Sequence, residues 1–463
     1  MGELSTMHIL GAVITLTLIM GLGVYSGKKV KNAADFDTGG KSAGPVMVAG
    51  TIIGTLVGGS STIGTAQLAF DYGLSAWWFT LGAALGCFIL AVKFITPLRD
   101  SNCGTIQQLI QNEFGTAAGL ITSILATLGL GLNIVSQLLS ANALLTTMFG
   151  FNSMFCTVIS VIIMVCYVAF GGVKGTGLLG VVKSALLYGA VMAGGFLALK
   201  LSGGFGTIYN TLPHVQYFNL FARGLNTDLG AGISVILGVV STQTYFQAII
   251  AGKSHGASRK GALLSALLIP PIGIGSILIG YYMRISFPTM QASQAFPRFV
   301  IANMNPFLGG IVLATLFIAV VGTGSGLALG LATVITNNIY KPFINQNADG
   351  KKTLFFSRMI IVVTLILAAL FTSGNLKSTI LTWGFMSMGL RAVVLLAPMC
   401  AALFFPGKVN RIFATASSIA GILAMSVGKI IDFPGDSLFL GMAVSLCMVV
   451  IGALVESKKN RLC

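Results

Sequence analysis

Apolar stretches of membrane-crossing length recur along the whole chain, near 8–27, 43–72, 76–97, 117–147, 153–170, 176–200, 229–251, 260–283, 306–336, 356–373, 377–405, 411–431 and 437–455. A helix needs about 20 mainly apolar residues to cross the hydrocarbon core, so the pattern predicts about thirteen transmembrane helices. The first span is expected to be retained rather than cleaved as a signal peptide. Glu3 precedes it, and the basic residues Lys28, Lys29 and Lys31 follow it.

Two spans break this pattern. The second is interrupted near its middle by Gly58, Gly59, Ser60, Ser61 and Thr62, and the seventh carries the polar run Ser241, Thr242, Gln243, Thr244, Tyr245 and Gln247. Irregular backbone at bilayer depth survives only where protein encloses it or where it lines a wet cavity. Interrupted spans in corresponding places of two halves mark the midplane sites of secondary transporters. Spans 2–6 and 7–11 are thus expected to form two five-helix repeats, the second inverted because five is odd. The expected fold is an all-α polytopic membrane protein with a 5+5 inverted-repeat core. A single membrane domain is predicted: 1–42 with an extra helix, 43–201 as the first repeat, 229–406 as the second, and 407–463 with two C-terminal helices.

Composition agrees. Of 463 residues 55% are hydrophobic and only 8% charged, against roughly 25% charged in soluble domains. The net charge of +16 points to topology rather than to nucleic acid. Loops holding Lys28, Lys29, Lys41, Arg99, Lys253, Arg259 and Lys260 are expected on the cytoplasmic side by the positive-inside rule, with the N-terminus outside and the C-terminus inside. Seven cysteines without CxxC spacing and three scattered histidines indicate neither a disulfide framework nor a structural metal site. No cofactor is expected, and no span holds a nucleophile beside a base, so no enzyme is expected.

Four segments carry a family resemblance: VGGSSTIGTAQLAFDYGLSAWW (57–78), 171–183, QAIIAGKSHGASRK (247–260) and AVVGTGSGLALGLATVITNNIYK (319–341). In order and spacing they resemble the sodium/solute symporter family, with its leucine-transporter-type fold. That resemblance implies a sodium site between the second and ninth helices. Its carbonyl ligands fall on Gly54, Val57 and Ala319, and its hydroxyl pair on Gly322 and Thr323. One hydroxyl is therefore missing, with Ser325 a candidate to replace it. A supporting aspartate of the family falls on Gly180, and Lys183 stands one turn on. In proton-coupled relatives of the same fold, from the amino acid/polyamine/organocation group, a lysine on the equivalent helix takes the place of the ion.

Lys183 is also conspicuous on physical grounds. None of the eleven acidic residues falls deep in a span, so Lys183 and Arg391 have no intramembrane carboxylate, and buried charges need partners. Two readings stand for Lys183: snorkelling to the headgroups, or occupation of the ion site. Arg391 is roughly 20 Å from either end of its span, too far to snorkel. It either clamps a substrate carboxylate or bonds unwound backbone. With it, Gly58, Gly59, Ser60, Ser61, Asn133, Gln137, Gln243, Thr244 and Phe385 are the candidate substrate residues. Asn133, Gln137 and Ser140 share one helical face.

The expected function is a solute symporter importing a small organic solute, an anion or carboxylate first, by alternating access. Coupling is expected to H⁺, or to be sodium-independent with Lys183 in place of the ion; conventional Na⁺ coupling is the alternative. A transporter-fold membrane sensor is the reading from another class. The expected surroundings are a lipid bilayer and a plasma or inner membrane, with a small-molecule solute, no nucleic acid, and a monomeric state.

Overall fold

The apolar spans fold as helices throughout the computed structural model, which describes residues 4–27, 41–347 and 349–462. Side chains are described for these except at 20, 22–27, 168–179 and 459–462. Glu3, Lys28, Lys29, Lys31, Asp35 and Asp37 lie outside the described residues.

The longer helices are α1 (Thr6–Gly27), α2 (Pro45–Leu56), α3 (Thr65–Tyr72), α4 (Trp78–Ile89), α5 (Ile106–Phe114), α6 (Thr116–Phe149) and α7 (Ser153–Leu201). They continue with α8 (Leu225–Val240), α9 (Gln243–Ala251), α10 (His255–Ser286), α11 (Pro306–Ile335), α12 (Gly350–Ser373), α13 (Ile380–Phe404), α14 (Arg411–Ile430) and α15 (Ser437–Leu462). Among the described residues nine elements are long and apolar enough to cross a membrane, ten if α8 and α9 count as one span bent by 41°. Three shorter apolar helices accompany them, at Thr6–Ile19, Pro45–Leu56 and Ser153–Tyr167.

In two places neighbouring expected spans run on as one helical element, each for a local reason. After α3 the chain reverses through a 3-10 turn, Gly73–Trp77, so the element Ser60–Asp100 holds parts of two expected spans. Gly73 sits at φ +56° with the Tyr217 backbone where a Cβ would be, and only glycine fits both demands. The spans expected at 153–170 and 176–200 form one helical element, α7. Met164 lies beside Gly324 and Lys183 beside Thr323. Residues that far apart in a straight helix would be about 28 Å distant, so α7 passes α11 twice and is not straight.

Both expected breaks are present. α2 stops at Leu56, Val57 is extended (φ −90°, ψ 100°), and a π-helical turn, Ser60–Gly64, leads into α3. α8 stops at Val240, and α9 restarts at Gln243. α11 is the axis of the bundle, buried continuously from Val312 to Val334. By contrast, only 22% of the apolar window of α12 and 28% of those of α14 and α15 are buried, which leaves these helices to face lipid.

Candidate ion and solute site

The C-terminal end of α2 lies at bilayer depth, where its last carbonyls lack intrahelical donors and carry the negative end of the helix dipole. A cation is the natural complement, and Lys183 supplies it. Its Nζ donates to Gly54 O at 2.5 Å, to Ala319 O at 2.9 Å and to Thr323 Oγ1 at 2.8 Å. An ammonium has three donors, and all three are used. The side chain is 2% exposed, so it turns into the protein and does not snorkel. Thr323 Oγ1 in turn lies 3.2 Å from Gly54 O and 3.3 Å from Val57 O, donating to the open end of the helix.

The two glycines at which family ligands are missing make room for this lysine. A Cβ on Gly180 would fall 2.4 Å from Gly50 O, and one on Gly54 2.8 Å from the Gly180 Cα. α7 and α2 therefore touch backbone to backbone, and no aspartate fits at Gly180. A Cβ on Gly322 would meet Lys183 Cδ at 3.4 Å and Nζ at 3.5 Å, with Tyr167 Oη at 3.3 Å. The lysine stem lies where a hydroxyl side chain would extend. Ser325 takes no part: its Oγ donates to Met164 O at 3.0 Å. Tyr167, beside Gly322, was not apparent from sequence, since a single tyrosine in an apolar span carries no periodic signal.

The break itself is closed by a directed chain of hydrogen bonds. The Gly59 N–H donates to Gln137 Oε1 at 2.9 Å. Gln137 Nε2 donates to Ser60 Oγ at 3.0 Å and lies 3.2 Å from Asn133 Oδ1. Ser60 Oγ meets Ser136 Oγ at 2.7 Å, and Ser136 donates to Ile380 O at 2.9 Å. Side chains on Gly58 or Gly59 would collide with Thr323 and Gln137 or with Ser140. Gly58, Gly59, Ser60, Asn133, Gln137 and Ser140 are thus one cluster. Ser61 instead returns a bond to Leu56 O. Ser136 belongs to the same stripe of α6 and was missed, although its spacing fits.

The remaining candidates lie elsewhere. Gln243 reaches away from the break of α2: its Oε1 accepts from the Ile106 N–H at 3.1 Å and its Nε2 donates to Gly104 O at 3.2 Å, fastening α9 to the start of α5. Thr244 packs its methyl against Gly330. Phe385 is buried between the edge-on ring of Phe79 and the Arg223 guanidinium, 5.3 Å from its centroid. Arg223 is itself held by the buried Asp228. Arg391, expected either to clamp a carboxylate or to bond unwound backbone, has its fork occupied. It donates to Thr242 Oγ1 (2.8 Å), Ser387 O (3.0 Å), Ser387 Oγ (3.1 Å) and Met388 Sδ (3.0 Å). Its partner between α8 and α9 is the Thr242 hydroxyl, not an unwound carbonyl, and the one carbonyl it reaches, Ser387 O, belongs to its own helix α13.

A polytopic helical fold with a lysine seated at a broken helix, and a second interrupted span, has the architecture of a secondary transporter. The chain belongs to the sodium:solute symporter family, whose model matches residues 36–421. It is an integral multi-pass membrane protein, not an enzyme. It is 23% identical to the sodium/proline symporter of Escherichia coli over 88% of this chain and 85% of that protein. It is also 23% identical to a high-affinity choline transporter of Caenorhabditis elegans, covering 91% and 77%. A urea-proton symporter of Oryza sativa is 23% identical over 83% of this chain, which spans only 59% of that longer protein. Among solved structures, a Na⁺-coupled sialic acid symporter in a substrate-bound outward-open state superposes with a TM-score of 0.82 at 16% identity, covering 98% of each chain. A nucleobase-cation-symport-1 family transporter in a closed conformation gives 0.57 at 14% identity, covering 93% and 96%. The inverted-repeat fold of the leucine-transporter type is thereby shared.

Proposed function

We propose that the protein is a symporter for a small polar organic solute in which the Lys183 ammonium stands where relatives hold sodium, so that transport is coupled to protons or runs without sodium. The observation carrying this reading is the trio of bonds from Nζ to Gly54 O, Ala319 O and Thr323 Oγ1. These three groups are among the ligands the family resemblance assigns to the ion. Protonated, the lysine ties α7 to both α2 and α11. Deprotonated, the amine keeps two N–H donors and turns a lone pair toward a carbonyl, so at least one tie is lost. Protonation then biases one arrangement of the repeats 43–201 and 229–406 over the other. A relative named as a urea-proton symporter is consistent with such coupling.

The solute is expected at the Gly58–Ser60, Asn133 and Gln137 cluster, whose groups are amide and hydroxyl. That chemistry suits a neutral or zwitterionic solute as well as a carboxylate, and relatives named for proline, urea and choline span that range. Conventional sodium symport remains the second reading, favoured by Thr323 and the Gly54, Val57 and Ala319 carbonyls. The test is uptake of labelled proline, urea, choline and sialic acid into proteoliposomes under an imposed sodium gradient or pH gradient, with wild type and Lys183→Ala compared. Accumulation driven by the pH gradient and lost in Lys183→Ala is the expected result. Accumulation driven by sodium alone, and kept in Lys183→Ala, overturns it.

A further inference from the structure

At the end of the bundle opposite Arg99 and Lys253, a cavity of about 560 Å³ opens between α6, the start of α7, the segment 291–294 and the start of α13. Its wall is mostly amide and hydroxyl, including Asn142, Thr146, Gln291, Gln294 and Ser378. Leu139 and Ile380 also line it, and both are buried. Ile380 also packs against Gly64 of the π-helical turn, so it stands between the cavity and the broken helix.

Ile380 is held there from three directions. Its N–H, at the first turn of α13, donates to Gln67 Oε1 at 3.0 Å. Thr379, at the N-cap position, makes no side-chain cap, so Gln67 of α3 caps a helix remote from it in sequence. The Ile380 carbonyl accepts from Ser136, the last link of the chain that begins at the Gly59 N–H. Its side chain seats against Gly64 of the π-helical turn, where a Cβ would fall 2.9 Å from Ile380 Cγ2. Breaking the contact between α6 and the break therefore loosens the start of α13 as well.

We propose that Gln67 and Ser136 form a latch that holds Ile380 as a plug between this entry cavity and the solute cluster, with Gln67 as the positioning residue. The cavity is the vestibule from which a small, hydrogen-bonding solute descends. A solute that competes for Gln137, Ser60 and Ser136 then acts on the same bonds that hold the plug. This proposal rests on the transport reading for its purpose, but its test does not depend on transport.

Full-length protein in lipid nanodiscs, carrying Ser140→Cys beneath the plug, is labelled with a membrane-impermeant maleimide. Site-resolved mass spectrometry follows the introduced thiol together with the native Cys103 at the opposite end. Losing one hydrogen bond shifts a closed–open balance about fivefold. Gln67→Ala is therefore expected to speed labelling at position 140 about fivefold while leaving Cys103 unchanged or slower. Gln67→Glu, which keeps an acceptor for the Ile380 N–H, is expected to stay near the parent rate. Ser136→Ala breaks the other bond and gives the same direction if Gln67→Ala does not fold. Unchanged labelling at position 140 in a folded Gln67→Ala or Ser136→Ala protein overturns the latch and leaves the symporter reading intact. An equal rise at both thiols also overturns it, since that reports general loosening. Failure of every solute in the uptake assay, with the labelling result as expected, counts against the proposed function and not against the latch.

Discussion

Lys183 Nζ lies 2.8 Å from Thr323 Oγ1, and that hydroxyl lies 3.2 Å from the same Gly54 carbonyl to which the ammonium donates. A charge on α7 is thus tied to α11 across the open end of α2. α2 and α7 belong to the stretch 43–201 and α11 to 229–406, so the contact joins the two halves of the chain. Under the proposed function, the bond between Lys183 and Thr323 is the contact on which coupling acts.

Restoring a hydroxyl while removing the lysine is expected to recreate sodium binding. In Lys183→Ala combined with Gly322→Ser, the stem that lies against Gly322 is gone and a hydroxyl pair stands beside the carbonyls, closer to the oxygen shell a hard cation needs. Thermal unfolding in sodium chloride against N-methylglucamine chloride measures the gain, about 2.7 kcal/mol at a sodium concentration a hundredfold above Kd. The wild type is expected to show no such difference. A sodium-dependent shift in the wild type would contradict the lysine reading.

Gly180→Asp is expected to disrupt the protein rather than improve sodium binding. The Gly50 carbonyl lies 2.4 Å from where the new Cβ would be. Overpacking of this kind costs about 1–3 kcal/mol or more, and here the backbone of α2 has to yield. Lower yield and a lower unfolding temperature, with no sodium response, are the expected outcomes.

Arg391→Lys is expected to destabilise the protein without changing its choice between charged and neutral solutes. The lysine cannot reproduce a fork that reaches Thr242, Ser387 and Met388 together. Lost bonds to a charged group cost about 1.5–3 kcal/mol each. Inhibition of uptake by a carboxylate and by its amide should keep the same ratio. A selective loss of carboxylate recognition would return Arg391 to the solute site.

Gln243→Leu is expected to loosen the seal between α9 and α5 and expose Cys103, which is buried beside Gly104. Burial holds the Cys103 thiol above its ordinary value. The thiolate is the reactive form, so alkylation in the wild type should be slow at neutral pH and rise about tenfold per pH unit toward alkaline conditions. In Gln243→Leu the rate at neutral pH should approach that of an exposed thiol. Equal rates in both proteins would show that Gln243 does not close this end.

The apolar spans, the two breaks and the isolation of Lys183 were legible in the sequence because each is a local or countable property. Hydropathy belongs to a window of residues. A glycine pair followed by hydroxyl residues weakens a helix wherever it lies, and eleven acidic residues can be checked one by one for a partner. Gly54, Ala319, Thr323 and Lys183, matched by resemblance, also lie together in space, because the carbonyls at the end of α2 take hydrogen bonds from Lys183 and Thr323.

What only the tertiary structure decided was which face each polar residue turns, and to whom. Gln243 and Phe385 stand on the expected helices, yet they face α5 and Arg223, because a rotation of one residue, about 100° on a helix, changes the neighbour entirely. Gly180 and Gly322 read in sequence as missing ligands. In space they are the clearance that lets Lys183 reach Gly54, since close approach of two backbones depends on the distance between helices and not on either helix alone. The hold on Ile380 is invisible in sequence for the same reason: Gln67, Ser136 and Ile380 lie on three separate helices, and only packing brings their hydrogen bonds together.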